Sequence, residues 1–420
     1  MPPMDEEKLI SVTIIPVVTA TLSIIGSLTI IVMLIRSDKK LASTYRRLLF
    51  GMSIMDIASS TAISFSSFAS PKETSELWNP VGNTATCTAQ GVVVYSGQIG
   101  LSMYNCSLCL YYTLSIVKNM KREEMLKVER FFHFIPAFWI LSTVPFLLVT
   151  ESFNAFDVFC MIESHPQGCD TDDNVDCTRG LNARSYRICF YLVPTALTFI
   201  IICWSVIALG LSVRGHEQKV QEYRANLCTL PESINAIRKT NPFSSSQSSE
   251  SDEQELTAYV SKKSTPRESL DTRVRKEAYK QAIYYIFAIV LSHIFGLIFQ
   301  GMRQLRGETI YILWVLQQLT MPTQGFFNFI VFLRPRVLSL RSLNPELSLM
   351  QSVRIAIKDN GVEADELTRS YRQKTSPEWT RQLYTAREWH LKTLGEKKNQ
   401  EASSMSAFPC ENSTLDCWEQ

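Results

Sequence analysis

Seven long stretches of this sequence contain no lysine and no arginine, and a single acidic residue, Asp56, falls among them. They run Leu9–Ile35, Leu48–Phe68, Cys87–Val117, Phe131–Thr150, Ile188–Val213, Gln281–Met302 and Ile310–Leu333. A soluble helix interleaves charge with apolar residues so that one face meets water, and these stretches exclude that arrangement. The overall content of 46% hydrophobic and 20% charged residues looks ordinary only because the two classes are segregated along the chain. Further absences exclude chemistry. There is no Cys/His cluster at metal spacing, no nucleophile elbow and no glycine-rich phosphate loop, so neither an enzyme nor a bound cofactor is expected. The seventh stretch has no lysine that could carry a retinal Schiff base. A net charge of +2 gives no argument for nucleic acid as a partner. No internal repeat of the kind found in many secondary transporters is visible.

What is present fits a bilayer. Uncharged stretches of about 20 residues or more match a hydrocarbon core roughly 30 Å thick, whereas a membrane strand needs about 10 and alternates in polarity. A helix also satisfies its own backbone hydrogen bonds, which lipid cannot do. The expected fold is therefore all-α, a bundle of seven transmembrane helices in contact with membrane lipid. The first stretch is too long for a signal h-region and lacks a basic n-region, so it is read as retained. Arg36, Lys39, Lys40, Arg46 and Arg47 follow the first stretch, and Lys118, Lys121, Arg122, Lys127 and Arg130 follow the third. The alternate loops are poorer in basic residues, which places the basic side in the cytoplasm, the N-terminus outside and the C-terminus inside. Cys87, Cys160, Cys169 and Cys177 all fall on the outer side, where disulfides persist. Four cysteines allow three pairings.

Residues 1–8 form a short outer segment, and 9–341 the heptahelical region. Its third cytoplasmic loop, about 214–280, is expected to be disordered around a low-complexity run. In that run Ser244, Ser245, Ser246, Ser248, Ser249 and Ser251 are interleaved with or followed by Glu250, Asp252, Glu253 and Glu255. This pattern suits acid-directed kinases, each phosphate adding about −1.5 to −2 charges; the alternative is a solvated linker. Arg334–Arg341 is expected to form a short basic amphipathic helix along the inner surface. Residues 342–420 read as a largely disordered cytoplasmic tail.

Polar residues inside the stretches are the candidates for function. In the third, Gly91, Tyr95, Gln98, Ser102, Asn105, Cys109 and Tyr112 share one helical face, which should turn from lipid toward the interior. Small and hydroxyl residues there serve helix packing, and the outer-half Tyr95, Gln98 and Ser102 are also suited to line a pocket. The seventh stretch offers Trp314, Gln317 and Gln318 opposite them, and Asn328 near its inner end. Asp56 is either part of a polar network with Asn105 and Asn328 or a protonated structural hydrogen bond, since an intramembrane carboxylate is costly. His293 is either a satisfied buried imidazole or a polar contact that switches. Arg184, Arg187, Arg303 and Arg306 ring the outer helix ends, where they either anchor at the interface or favour an anionic ligand.

These residues resemble a family. Arg47-Leu-Leu-Phe-Gly-Met-Ser-Ile-Met-Asp56, Cys87-Thr-Ala-Gln90, Phe159-Cys-Met-Ile162 and Gln324-Gly-Phe-Phe-Asn-Phe-Ile-Val-Phe-Leu333, followed by Arg-Pro-Arg, are similar to segments of G-protein-coupled receptors. The resemblance is nearer the cyclic-AMP-receptor-like and secretin-like branches. The third stretch ends without Asp-Arg-Tyr, the sixth has no proline, and the seventh lacks Asn-Pro-x-x-Tyr; a secretin-type cysteine-rich ectodomain is also missing. The resemblance implies a multi-pass plasma-membrane receptor that senses a small extracellular molecule and activates a heterotrimeric G protein. It also implies a disulfide from Cys87 to Cys160, leaving Cys169 to pair with Cys177. A heptahelical transporter or channel, with Asp56, His293 and the buried amides as its polar path, is the alternative. A ligand site is expected in the outer half of the bundle, as a cleft with a few converging polar groups.

Overall fold

The computed structural model describes residues 6–37, 40–74, 77–171, 175–240, 266–306 and 310–358. Helices α1 (Glu6–Arg36), α2 (Thr44–Ser64), α3 (Thr84–Ile116) and α4 (Arg122–Val149) come first. A hairpin of β1 (Phe153–Phe156) and β2 (Phe159–Ile162) follows. The short helix α5 (Ala183–Arg187) passes through one π turn (Ile188–Leu192) into α6 (Val193–Thr240). Then come α7 (Pro266–Arg306), α8 (Tyr311–Thr320), α9 (Gln324–Leu343) and α10 (Leu349–Lys358).

Local chemistry sets the ends of these helices. The Ser43 hydroxyl accepts the Arg46 amide at 3.4 Å to cap α2. Asn83 and Thr86 cap α3 reciprocally, each side chain accepting the other's backbone N–H at 3.0 and 2.8 Å, which satisfies donors the helix leaves open. Glu123 and Glu124 sit in the first turn of α4, where negative charge suits the helix dipole. Pro322 separates α8 from α9, because proline offers no amide to continue the ladder.

Helix α3 is the axis of the bundle, packed by α2, α4, α6, α7 and the hairpin. The expected single interior face is too narrow a description: every residue from Gly97 to Cys109 is buried. Close approach makes this possible. A Cβ on Gly97 would come 2.5 Å from the Ser59 side chain of α2, a spacing only glycine tolerates.

Polarity is inverted relative to a water-soluble protein. Val18, Leu22 and Ile25 of α1, Phe131, Phe134, Phe138 and Leu141 of α4, and Leu197, Ile200, Ile207 and Leu211 of α6 are exposed. Ser23, Ser59, Gln98, Asn105, Ser292, Gln318 and Asn328 are buried. Large apolar faces of this extent mark contact with another apolar phase. Glu6–Arg36, Arg122–Val149, Ala183–Gly215 and Tyr279–Met302 are long and apolar enough to cross a membrane by length and composition. The other three stretches are helical too. Helices α2 and α3 carry many small and hydroxyl residues that face inward, and the seventh stretch is divided between α8 and α9.

Four features differ from the sequence expectation. The fold is not purely helical, because Phe153↔Ile162 and Phe156↔Phe159 pair the two strands antiparallel. The expected basic helix at Arg334–Arg341 is no separate element but the second half of α9, with Val337 and Leu340 buried. A distinct amphipathic helix, α10, lies within the tail expected to be disordered, and Ser352 and Ala356 face inward against α9. Helical backbone also continues past Arg214 to Thr240 and starts again at Pro266, so the expected loop is narrower than 214–280. The serines Ser244, Ser245, Ser246, Ser248, Ser249 and Ser251 lie outside the described residues.

Candidate functional site

A cavity opens beneath the hairpin, between the π turn, α7 and α8. Its walls are mostly apolar: Phe156, Phe159, Met161, Tyr191, Leu192, Leu297 and Met321, with Arg187, Thr195, His293 and Gln317 among the polar groups. The hairpin roof is fixed from several sides. Cys160 is bonded to Cys87 at the start of α3, with Cα atoms 5.3 Å apart. The Cys160 amide donates to Gln90 Oε1 at 2.8 Å. Gln90 Nε2 donates in turn to the carbonyls of Ala62 and Ser66 at 2.9 and 3.0 Å. A second bond joins Cys169 to Cys177. The π turn carries Tyr191 and Leu192 into the wall, and such turns bulge a helix where its regular ladder would not reach.

Among the described residues, the one cation on the wall, Arg187, is neutralised. Arg187 Nη1 donates to Glu163 Oε2 and to the Ile162 carbonyl, and its guanidinium lies 5.0 Å from the Phe156 ring centre. Glu163 Oε1 accepts the Ser164 amide at 3.1 Å. Arg187 Nε is buried without a partner among the described residues, as is Gln317 Oε1. The wall therefore combines this ion pair with the polar side chains of Thr195, Ser292, His293, Gln300 and Gln317 and a larger apolar surface.

A smaller cavity lies further along the bundle and shares Thr195, His293 and Leu297 with the first. Ser102 and Asn105 of α3 line it. His293 Nδ1 lies 3.0 Å from the Ile289 carbonyl; a carbonyl only accepts, so Nδ1 carries the proton there. From His293 one face of α7 descends in steps of four residues through Ile289 and Tyr285 to Gln281. At its foot the hydroxyls of Tyr285 and Tyr45 are 3.0 Å apart, and Gln281 Nε2 donates to the Tyr45 oxygen at 2.9 Å. The Tyr45 ring packs 6.0 Å from Tyr112 and 6.3 Å from Tyr111 of α3. Beside this cluster Arg47 and Thr44 both donate to the buried Glu129 of α4.

The residues singled out from sequence are thus distributed. Gln317 lines the larger cavity and Ser102 the smaller. Tyr95 turns instead to α4, bonding Thr143 at 2.8 Å. Gln98 Nε2 donates to Ser59 of α2. Trp314 stacks on Phe299, and Gln318 is fully buried beside α1, whose Thr19 bonds its carbonyl. Arg187 reaches the cavity; the side chains of Arg303 and Arg306 lie outside the described residues. The expected network of Asp56 with Asn105 and Asn328 does not form. Asp56 accepts from Ser23 at 3.0 Å and Ser27 at 2.7 Å, and Ser23 also accepts the Gly325 amide. The start of α9 therefore points its open N–H groups at this carboxylate, a favourable pairing. Asn328 reaches only Met52, and Asn105 faces the smaller cavity. Sequence reasoning missed Glu163, Tyr191 and the Tyr45–Tyr285 contact. The acidic–basic pairing of Glu163 with Arg187 spans 24 residues of loop, and no local period announces it.

No protein-family profile matches this chain, and no curated protein matches it. Among solved structures, the crystal structure of squid rhodopsin is similar, with a TM-score of 0.52 at 10% sequence identity, over 88% of this chain and 93% of that one. At this identity the likeness is one of fold: the chain shares the helical-bundle architecture of that structure.

Proposed function

We propose that this chain is a seven-span receptor that binds a small molecule on its hairpin side and activates a heterotrimeric G protein on the other. The hairpin side is outside, because the loops at the opposite end hold most of the basic residues. The observation that carries the reading is the face of α7 that joins His293 in the cavity to Tyr285 in the tyrosine cluster. A ligand that binds one position of α7 better than another shifts the population toward that position. The shift is felt at the far end because Tyr285 and Gln281 hold the same helix against α2.

The ligand we infer is uncharged or only weakly polar. The buried Glu163 already neutralises that guanidinium, which disfavours a strongly anionic ligand. Phosphorylation of the serine cluster between α6 and α7 belongs to the same proposal, as does placement in the plasma membrane. The narrower kinship with cyclic-AMP-receptor-like and secretin-like branches rests on the sequence motifs alone.

Reconstituted vesicles test this directly. A library of small neutral ligands is screened for release of the G protein subunits, and ion flux is followed in the same vesicles. Ligand-dependent release without flux supports the receptor. Flux without release supports the transporter or channel reading.

A further inference from the structure

An open cavity lies at the end of the bundle opposite the hairpin, where α2 and α4 begin and α3 ends. Arg46, Arg47 and Arg122 line it, together with Ser43, Thr44 and Ser115. Arg47 is matched by Glu129. The other two are not matched by a carboxylate among the described residues: Arg46 donates to Ser37 Oγ at 2.7 Å and to the Lys40 carbonyl at 3.1 Å, and Arg122 to the Ala42 carbonyl at 3.4 Å. Neutral acceptors thus hold both guanidiniums at the wall while leaving their charge uncompensated. Among the described residues, three guanidiniums facing one carboxylate leave a positive excess that matches in magnitude the charge of a phosphomonoester, about −1.5 to −2. Arginine also presents donors in a fork that fits phosphate oxygens.

Depth selects the source of the phosphate. Arg46 and Arg47 directly precede the apolar stretch of α2, whereas Arg122 stands nine residues before the apolar stretch of α4, about 13 Å along the helix at 1.5 Å per residue. The cavity therefore spans the layer in which lipid headgroups lie. Glu123 and Glu124 are nearby on α4, yet Glu124 turns back to the Lys121 amide and neither lines the cavity.

We infer that this cavity is a binding site for the phosphorylated headgroup of an inner-leaflet lipid, of the phosphoinositide class. The inference rests on the orientation proposed above and is independent of the ligand and of G-protein coupling.

The test uses the full chain in phosphatidylcholine nanodiscs. A photoactivatable phosphatidylinositol bisphosphate is crosslinked and the labelled peptides are mapped. Label is expected within residues 41–47 and 115–125, and competition by unlabelled phosphatidylinositol bisphosphate but not by phosphatidylserine at equal charge. The double variant Arg46→Gln/Arg122→Gln should lower labelling at least fivefold, Arg46→Lys/Arg122→Lys less, and Lys127→Gln not at all. Label confined to other segments of the wild-type chain, or equal competition by phosphatidylserine, overturns the site. Full competition by soluble inositol trisphosphate at similar concentration overturns the lipid as its source.

Discussion

Tyr45 and Tyr285 meet hydroxyl to hydroxyl at 3.0 Å, and Gln281 donates to the same Tyr45 oxygen at 2.9 Å. One contact thereby ties the start of α2 to the helix that lines the ligand cavity. The Tyr285 ring is buried, and among the described residues its hydroxyl has Tyr45 as its partner.

Tyr285→Phe should loosen this tie. A single hydrogen bond contributes about 0.5–1.5 kcal/mol, an equilibrium factor of about 2 to 10. Basal nucleotide exchange on the G protein, without ligand, should rise by that order, and Gln281→Ala should act in the same direction. Unchanged or lower basal exchange in both variants, at equal expression, would remove the tyrosine contact from the mechanism.

The Glu163–Arg187 pair gives a second prediction. Glu163→Gln leaves a buried guanidinium facing the cavity, and removing one member of a buried pair costs about 3–5 kcal/mol. A carboxylate added to the ligand can recover part of that loss. Wild type should therefore prefer a neutral amide ligand over its carboxylate analogue, and the variant should reverse the order. Competition binding with the two analogues measures this, and an unchanged preference would place the ligand away from Arg187.

The two disulfides should differ in consequence. Cys87–Cys160 closes a sequence separation of 73 residues and Cys169–Cys177 one of 8. Loop-closure entropy assigns about 4 kcal/mol to the first and about 2–3 kcal/mol to the second. The larger loss should also detach β2 from α3 and open the cavity roof. In thermal unfolding, Cys87→Ser/Cys160→Ser should lower the midpoint more than Cys169→Ser/Cys177→Ser, and only the former should abolish ligand binding. The reverse order would mean that the second loop carries the roof.

The helices were legible in the sequence because lipid demands long uncharged runs, and a run without Lys or Arg is visible by inspection. The third stretch announced that Ser102 and Asn105 face inward, since a polar stripe is costly against lipid. The identity of the neighbour was not legible: Tyr95 and Gln98 lie on the same face as Ser102, yet they point to α4 and α2, because α3 is surrounded and every side of it meets protein. Asp56 shows the same limit. Its burial was readable from residue type, but its partners Ser23, Ser27 and the start of α9 follow from how α1 and the broken seventh helix converge. The hairpin was hidden because Phe153–Phe156 and Phe159–Ile162 are each only four residues long, too short for a period-two pattern to stand out.

The central claim is that the cavity beneath the hairpin and the opposite end of the bundle are linked through α7. Ligand affinity measured with and without nucleotide-free G protein, on the same reconstituted chain, tests it most directly. Linkage requires the G protein to tighten ligand binding by the factor with which the ligand tightens G-protein binding, typically about 5- to 150-fold. Tyr285→Phe should shrink that factor. Equal ligand affinity in the presence and absence of bound G protein would contradict the account.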